Sequence, residues 1–355
     1  MGPGNCIKGQ GSLSPRPRQC PGGSDLPDFG PTTNGRLALR YQLTPSLARR
    51  ASASTEYRVA SLGQAAYSRT FPNILNGVLT TNRLARVDSP LARALGATDL
   101  TPEESTNFST GLVWSIGQRG SLTADVYHID IDDRIVLSEV LRGPLVTEKL
   151  TEAGFPTFAG LQFFTNAADT RTQGIDLTAR YGFRLQGGTL DLSLGYNRSK
   201  TEITGVKPAP DVLAGSGLEL IGRESAGIIE RSQPPSFVHL AADYVRGPLD
   251  VNVSAVRYGT YEAIHPTNPA LDQVFSSQVV ANLNAGYRFN DLLKAMIGVR
   301  NLFDSKPDQV LPGARNPTVA LYSGLSPEGA AGTVYYARLN FSFQRIETGS
   351  GARTP

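Results

Sequence analysis

The sequence predicts an all-β fold: an antiparallel transmembrane β-barrel of outer-membrane type, with about eleven strands present as an incomplete, open half of a larger barrel. Three observations predict it. Apolar and polar residues alternate with a period of two in segment after segment, tight turns alternate with long connections, and aromatic side chains gather at the tight-turn ends.

The clearest segment is Thr172 to Lys200. Ile175, Leu177, Ala179, Tyr181 and Phe183 share one parity, and Asp176, Thr178, Arg180 and Arg184 the other. After Gly187 and Gly188, Leu190, Leu192, Leu194 and Tyr196 alternate with Asp191, Ser193, Gly195 and Asn197. Strand side chains alternate faces, so each half is a strand with one apolar and one polar face, and the glycine turn makes them a hairpin.

The same pattern recurs along the chain. Leu37, Leu39, Tyr41 and Leu43 lead to a turn at Thr44 to Ser46 and a return strand to about Arg58. Phe108, Thr110, Leu112, Trp114 and Ile116 turn at Gly117 to Gly120 into Leu122, Ala124 and Val126. There the parity slips at Tyr127 to Asp130, which reads as a bulge or as the strand leaving its apolar surroundings. Val238 to Tyr244 turn at Arg246 to Pro248 into Leu249 to Ala255, and Ala281 to Phe289 turn at Asn290 and Asp291 into Leu293 to Val299. A last strand runs from Tyr335 to Phe343.

Connections of roughly 20 to 50 residues join these hairpins, which is abnormal in a compact soluble domain. Short turns on one side and long loops on the other are what outer-membrane barrels show. Tyr41, Trp114, Tyr181, Phe183, Tyr244, Tyr287 and Phe289 lie on the short-turn side, where amphipathic rings form an interfacial girdle. Arg36, Arg40, Asp176, Arg180, Asp191, Asn252, Asn282, Asn284, Arg288, Arg338 and Asn340 share the opposite parity and would face the lumen. Charges at that density would be ruinous in a sandwich core. Five tight turns and the C-terminal strand give an odd count, whereas bacterial single-chain barrels are even, so the chain reads as a piece of a barrel.

Composition excludes other classes. The formal net charge of +3 does not argue for nucleic acid, and no apolar run approaches the ~20 residues of a transmembrane helix. Residues 1–34 are rich in Gly and Pro and read as a disordered leader without the apolar core of a secretory signal; residues 344–355 read as a disordered tail, leaving 35–343 as the partial barrel. Cys6 and Cys20 lie in the leader without His or Cys partners at ligand spacing, so no metal and no cofactor is expected. His128, His239 and His265 are scattered and lack partners at motif spacing, so no catalytic site is expected. Asp130, Asp132 and Asp133 read as a solvated strand end, because the further oxygen ligands of a calcium loop are missing.

Five stretches carry a resemblance: Glu56 to Phe71 (EYRVASLGQAAYSRTF), Leu100 to Val136, Phe164 to Leu177 (FTNAADTRTQGIDL), Gly298 to Pro307 (GVRNLFDSKP) and Tyr335 to Phe343 (YYARLNFSF). In this order and spacing the last four resemble the C-terminal barrel of TonB-dependent receptors and the first resembles an upstream barrel stretch of the same family, with Asn166, Gly174, Asn301, Leu302, Phe303 and Asp304 as the family signature. The resemblance implies a 22-stranded barrel in the cell outer membrane with a plugged lumen. It implies a lipid-facing exterior and an extracellular nutrient or siderophore as ligand, imported through energy coupling to TonB by way of an N-terminal plug that this sequence lacks. Phe343 matches the terminal aromatic that signals barrel assembly. An open half-barrel exposes two unpaired edges, so this polypeptide alone is expected not to transport. The alternatives are a passive outer-membrane porin, which would lack the stretches around Asn166 to Gly174 and Asn301 to Asp304, and a soluble β-sandwich binding module, which would need no detergent.

Overall fold

A computed structural model describes residues 18–19, 22–26, 30–75, 78–314 and 321–342. Eleven long strands form one antiparallel sheet in which every strand lies beside its neighbours in sequence. They are β1 (Arg36–Gln42), β2 (Leu47–Arg58), β3 (Glu103–Ile116), β4 (Gly120–Leu137), β5 (Phe164–Leu185), β6 (Gly188–Val206), β7 (Ser236–Arg246), β8 (Leu249–Tyr258), β9 (Gln278–Arg288), β10 (Leu293–Arg300) and β11 (Val334–Phe341). The two-residue strand Arg18–Gln19 extends the β1 edge. Among the described residues this strand and β11 are the sheet's two ends and do not pair with each other, so the sheet is open.

Register follows the alternation. In the β5–β6 hairpin Leu177 lies opposite Tyr196, and Arg180 opposite Ser193; on the other side of β5 the same residues face Ala124 and Ser121 of β4. The turn between β5 and β6 is closed by Gly187 at φ 76°, a left-handed conformation that glycine adopts without steric cost. One face of the sheet is a continuous apolar surface. Leu37, Leu39, Phe108, Leu112, Val126, Leu192, Leu240, Val253, Ile297 and Leu339 are all exposed there, with no second layer over them among the described residues.

Strand length explains where the core is. A transmembrane β-strand needs about 9–11 residues, and β7 to β9 have 10 or 11. The strands β4, β5 and β6 have 18, 22 and 19, so they overhang the apolar belt on the long-loop side. The loops fold against this overhang as a cap with its own hydrophobic core. Ile135, Val136, Phe163, Ala167 and Ala168 come from the strands and their approach; Leu91, Leu95, Leu141, Val146, Leu150, Leu161 and Leu213 come from the loops. Three short helices, Pro90–Arg93, Pro144–Glu152 and Arg223–Glu230, and a small sheet of Arg69–Leu75, Val78–Leu84, Gly160–Gln162 and Leu141–Arg142 build the cap. Full burial of each large aliphatic side chain contributes about 1.5–3 kcal/mol, so the cap is a folded unit rather than a set of tethers.

Within the leader, Gly22–Leu26 pairs with Gly30–Asn34, and Arg18–Gln19 pairs with Leu37 and Ala38. The pairing of β4 with β3 and β5 continues unbroken through Tyr127 to Ile131; the register shifts only beyond, where Asp133 takes φ 53°. The change of parity at Tyr127 therefore marks the end of the apolar belt. The long connections at 59–106 and 132–171 hold most of the cap. Cys6, Cys20, Phe343 and the tail 344–355 lie outside the described residues.

Candidate functional site

The polar face of the sheet carries a cavity of about 940 Å³ whose lining includes Arg36, Arg40, Arg50, Asp125, Tyr127 and Asp176. Alternation places all six on the face opposite Leu39 and Leu177. Arg50 donates from Nε to Asp125 Oδ1 at 2.7 Å and from Nη2 to Oδ2 at 2.5 Å, a bidentate pair. Asn197 donates to Asp176 at 2.6 Å and to the Tyr127 hydroxyl at 3.2 Å. Arg36 and Arg40 have no carboxylate partner among the described residues and are exposed to the cavity.

A second polar track crosses the other end of the same face. Asn252 donates to Asp243 at 2.7 Å, Asn284 donates to Asn252 at 3.2 Å, and the Tyr336 hydroxyl donates to Asn284. Lys294 pairs with Asp250 at 2.6 Å, and Asn282 lies beside Ser254 at 3.4 Å. Arg180, Asp191, Arg288, Arg338 and Asn340 share this face by register with Ser193, Asp243, Lys294 and Met296.

Glycines make these crossings possible. Gly111 sits on β3 between Arg50 and Asp125; a Cβ there would fall 2.0 Å from Asp125 Oδ1 and 2.5 Å from the main-chain oxygen of Ala124. Gly174 of β5 lies under the Tyr127 ring as it reaches Asn197, and Gly298 of β10 under the Tyr336 ring as it reaches Asn284. Each bare strand lets a side chain from one neighbour meet one from the other. Gly111→Ala is expected to break the Arg50–Asp125 pair and to cost about 1–3 kcal/mol as overpacking. Urea titration of the folded sheet checks it. Adding Asp125→Ala should recover only part, because the Ala124 oxygen stays in place.

The signature residues take structural positions. Asn166 accepts from Thr101 N at 2.9 Å and donates to Thr101 O at 2.9 Å and Asp133 O at 2.6 Å, so it ties the overhang of β5 to the entry of β3 and to β4. Asn301, buried and at φ 52°, donates its main-chain N–H to Asn282 Oδ1 of β9 at 3.0 Å. Its amide donates to Ser305 O at 2.8 Å and Ala331 O at 3.2 Å, while Thr333 donates to its carbonyl at 2.7 Å. Leu302 and Phe303 are exposed. Asp304 accepts from Lys306 at 3.0 Å and from Thr333 N at 3.1 Å, so the motif latches the end of β10 to the start of β11.

Lys306 first, and the Thr333 N–H second, hold the Asp304 carboxyl below its ordinary value. A depressed carboxyl contributes to the latch above its unfolded-state value, and that contribution is lost as pH falls through the folded value. Hydrogen exchange at the Thr333 amide, corrected for intrinsic rate, should accelerate on acidification below the usual carboxylate range. The Asp304→Asn protein should show no such step.

In the cap, burial and then the neighbouring Glu139 carboxylate push Glu224 upward, opposed by Arg142. Glu139 itself accepts from Ser225 N and Oγ, both at 3.2 Å, at the start of the helix Arg223–Glu230. Glu103, nearly buried, accepts from Arg58 at 2.7 Å and from Ile135 N at 2.7 Å, binding β2, β3 and β4 together beneath the cap. His128 has partners after all, Asp130 at 2.8 Å and Gln173 at 2.9 Å, on the outer side of the overhang. Among the described residues no cluster of side chains has a metal-ligand arrangement.

The sequence missed Arg50, Asp125, Glu103 and Tyr336 as members of the site. Parity alone puts them on the polar face; the pairing becomes visible only with the register and the intervening glycines. The aromatics expected to form a girdle, Tyr41, Trp114, Tyr181, Phe183, Tyr287 and Phe289, are exposed on the apolar face near the tight turns, with Tyr244 half-buried. Tyr181 and Phe183 stand 4.8 Å apart and Tyr287 and Phe289 5.1 Å apart, by ring centroids.

Comparison with known proteins bears on this architecture. The family described as TonB dependent receptor-like, beta-barrel, matches residues 21–302. The probable TonB-dependent siderophore receptor PirA of Acinetobacter baumannii is 26% identical over 267 residues, covering 70% of this chain and 31% of that protein. Solved structures with the same fold include a ferric enterobactin receptor (PfeA) of Pseudomonas aeruginosa in complex with enterobactin, with TM-score 0.59, 17% identity, and 93% of this chain and 43% of that one covered. The copper transporter OprC matches with TM-score 0.55, 17% identity, and 93% and 44% covered. The chain thus spans about a third of the length of the curated relative and less than half of the solved ones. A match over most of its length, on a sheet of this topology, makes the chain a member of the TonB-dependent receptor-like β-barrel family.

Proposed function

We propose that this chain is the barrel portion of an outer-membrane receptor that imports a scarce nutrient, such as a ferric siderophore, by TonB-coupled transport. The observation that carries the reading is the division of one sheet into an uncovered apolar face and a polar, charge-bearing face, with a folded cap at the long-loop end. The apolar face meets lipid, the polar face lines the lumen, and the cap stands outside the cell, where an extracellular ligand arrives. Arg36, Arg40, Asp176, Arg180, Asp191, Asn282, Asn284, Arg288, Arg338 and Asn340 then contact water or a plug domain that fills the lumen. A cap with its own core, seated over the overhang, supports a gated receptor over a passively open channel. Similarity to a siderophore receptor supports the cargo class, and the iron complex is substrate rather than a resident cofactor.

Topology tests the reading. Cysteine placed at Glu148, exposed on the cap helix, should react with an impermeant maleimide in intact cells. Cysteine at Asn290, in the tight turn between β9 and β10, should react only after permeabilisation. Equal labelling at both positions, or recovery of the chain in the soluble fraction, overturns it.

A further inference from the structure

Directly above the apolar belt on the long-loop side, the outward face carries two arginines without acidic partners among the described residues. Arg198 of β6 lies opposite Ile175 and Ser236, and Arg257 of β8 lies opposite Val238 and Val279. Both are exposed, and their cross-strand neighbours are apolar or neutral. The other outward cations at this level are committed: Arg171 to Asp130 at 2.8 Å, and Lys200 to Glu202. Ser236 of β7 lies directly opposite Arg198, and a Cβ at Gly259 would fall 2.6 Å from Ser236 Oγ. Two strand spacings separate β6 from β8 and the register sets Arg257 two residues below Arg198, so their Cα atoms lie about 12 Å apart, a gap that two arginine side chains can close around one phosphate.

A second observation lies just beneath. An apolar groove of about 460 Å³ crosses the outward face, lined by Ala179, Leu192, Leu194, Leu240, Val253 and Ala255. Ala255 is two residues below Arg257 on the same strand, and Leu194 four below Arg198. Free guanidinium groups at the polar edge of a hydrocarbon surface, over a groove of acyl-chain character, fit one chemistry.

We infer that Arg198, Ser236 and Arg257 bind the phosphate headgroup of a lipid in the outer leaflet, with an acyl chain of that lipid lying in the groove between Leu194 and Val253. This rests on the membrane reading of the apolar face and adds a particular lipid class at a particular place. An unpaired arginine in this position is stabilised by a phosphate, and the pair holds the β6–β8 wall against the leaflet boundary.

Native mass spectrometry of the full chain, released from mixed micelles of phosphatidic acid and phosphatidylcholine, tests it. The wild-type protein should retain phosphatidic acid preferentially. Arg198→Gln with Arg257→Gln should lower that preference by roughly fivefold per arginine, the expected effect of one basic residue near a charged leaflet. Ala255→Phe, filling the groove, should lower retention of both lipids and leave the headgroup preference intact. Arg49→Gln, on the outward face near the short-turn side, should change nothing. Unchanged preference in the double variant overturns the site, as does full displacement by inorganic phosphate, which would mean a free-anion site. If the chain retains neither lipid, the membrane reading itself fails; if it retains both equally, only this inference fails. Heat-modifiable gel mobility confirms that each variant is folded.

Discussion

Arginine at Leu177 is expected to destabilise the inserted sheet by about 2–4 kcal/mol, whereas arginine one residue on, at Thr178, should cost under about 1 kcal/mol. Leu177 lies in the middle of the apolar face of β5, opposite Ala124 and Tyr196. In lipid a guanidinium there must either drag water into the hydrocarbon or pull the strand toward the interface. Thr178 points to the polar face, opposite Thr123 and Gly195, where Gly195 leaves room for a long side chain. The two positions are adjacent on one strand, so propensity, edge effects and loop effects cancel in the comparison. Urea titration in lipid vesicles, followed by heat-modifiable mobility, measures both. Equal costs at the two positions would mean that both faces see the same medium, and the membrane reading would go.

That contrast also shows why the strands were legible in the sequence. A single-layer sheet with one apolar and one polar face imposes one rule on every residue, and the rule has a period of two. Leu190, Leu192 and Leu194 obey it beside Asp191 and Ser193 without help from any distant contact. The lumen-face partners were less legible. Asp125 and Arg50 lie 75 positions apart, and only the register through Gly111 brings them together. The cap was least legible. Its helices have four, nine and eight residues, too few for a 3.6-residue period to rise above chance, and its core is assembled from three separate connections. His128 illustrates the same limit, since Asp130 is its partner only because both lie on one face of an overhanging strand.

Phe163→Ala should unfold the cap and spare the sheet. Phe163 is 1% exposed, with Leu161, Val136, Ala167 and Ala168 in the same core, and its main chain bonds Ser138 in both directions, at 3.0 and 3.2 Å. Truncating a buried phenylalanine costs about 3–5 kcal/mol, because the cavity it leaves collapses only in part. A cap of this size has little stability beyond that, so the expected result is protease cleavage within 138–160 and loss of amide protection at Leu141, Val146 and Leu150. Heat-modifiable mobility of the sheet should persist, since β7 to β11 share none of these contacts. The comparison that isolates the cause is Val253→Ala on the apolar face, where the side chain is exposed: an acyl chain flows into the space left there, so no cavity term arises and the change should cost well under half as much. A cap that stays protected in Phe163→Ala would show that the loops are held by their tethers to the strands, with ligand recognition then resting on loops that order only when a ligand arrives.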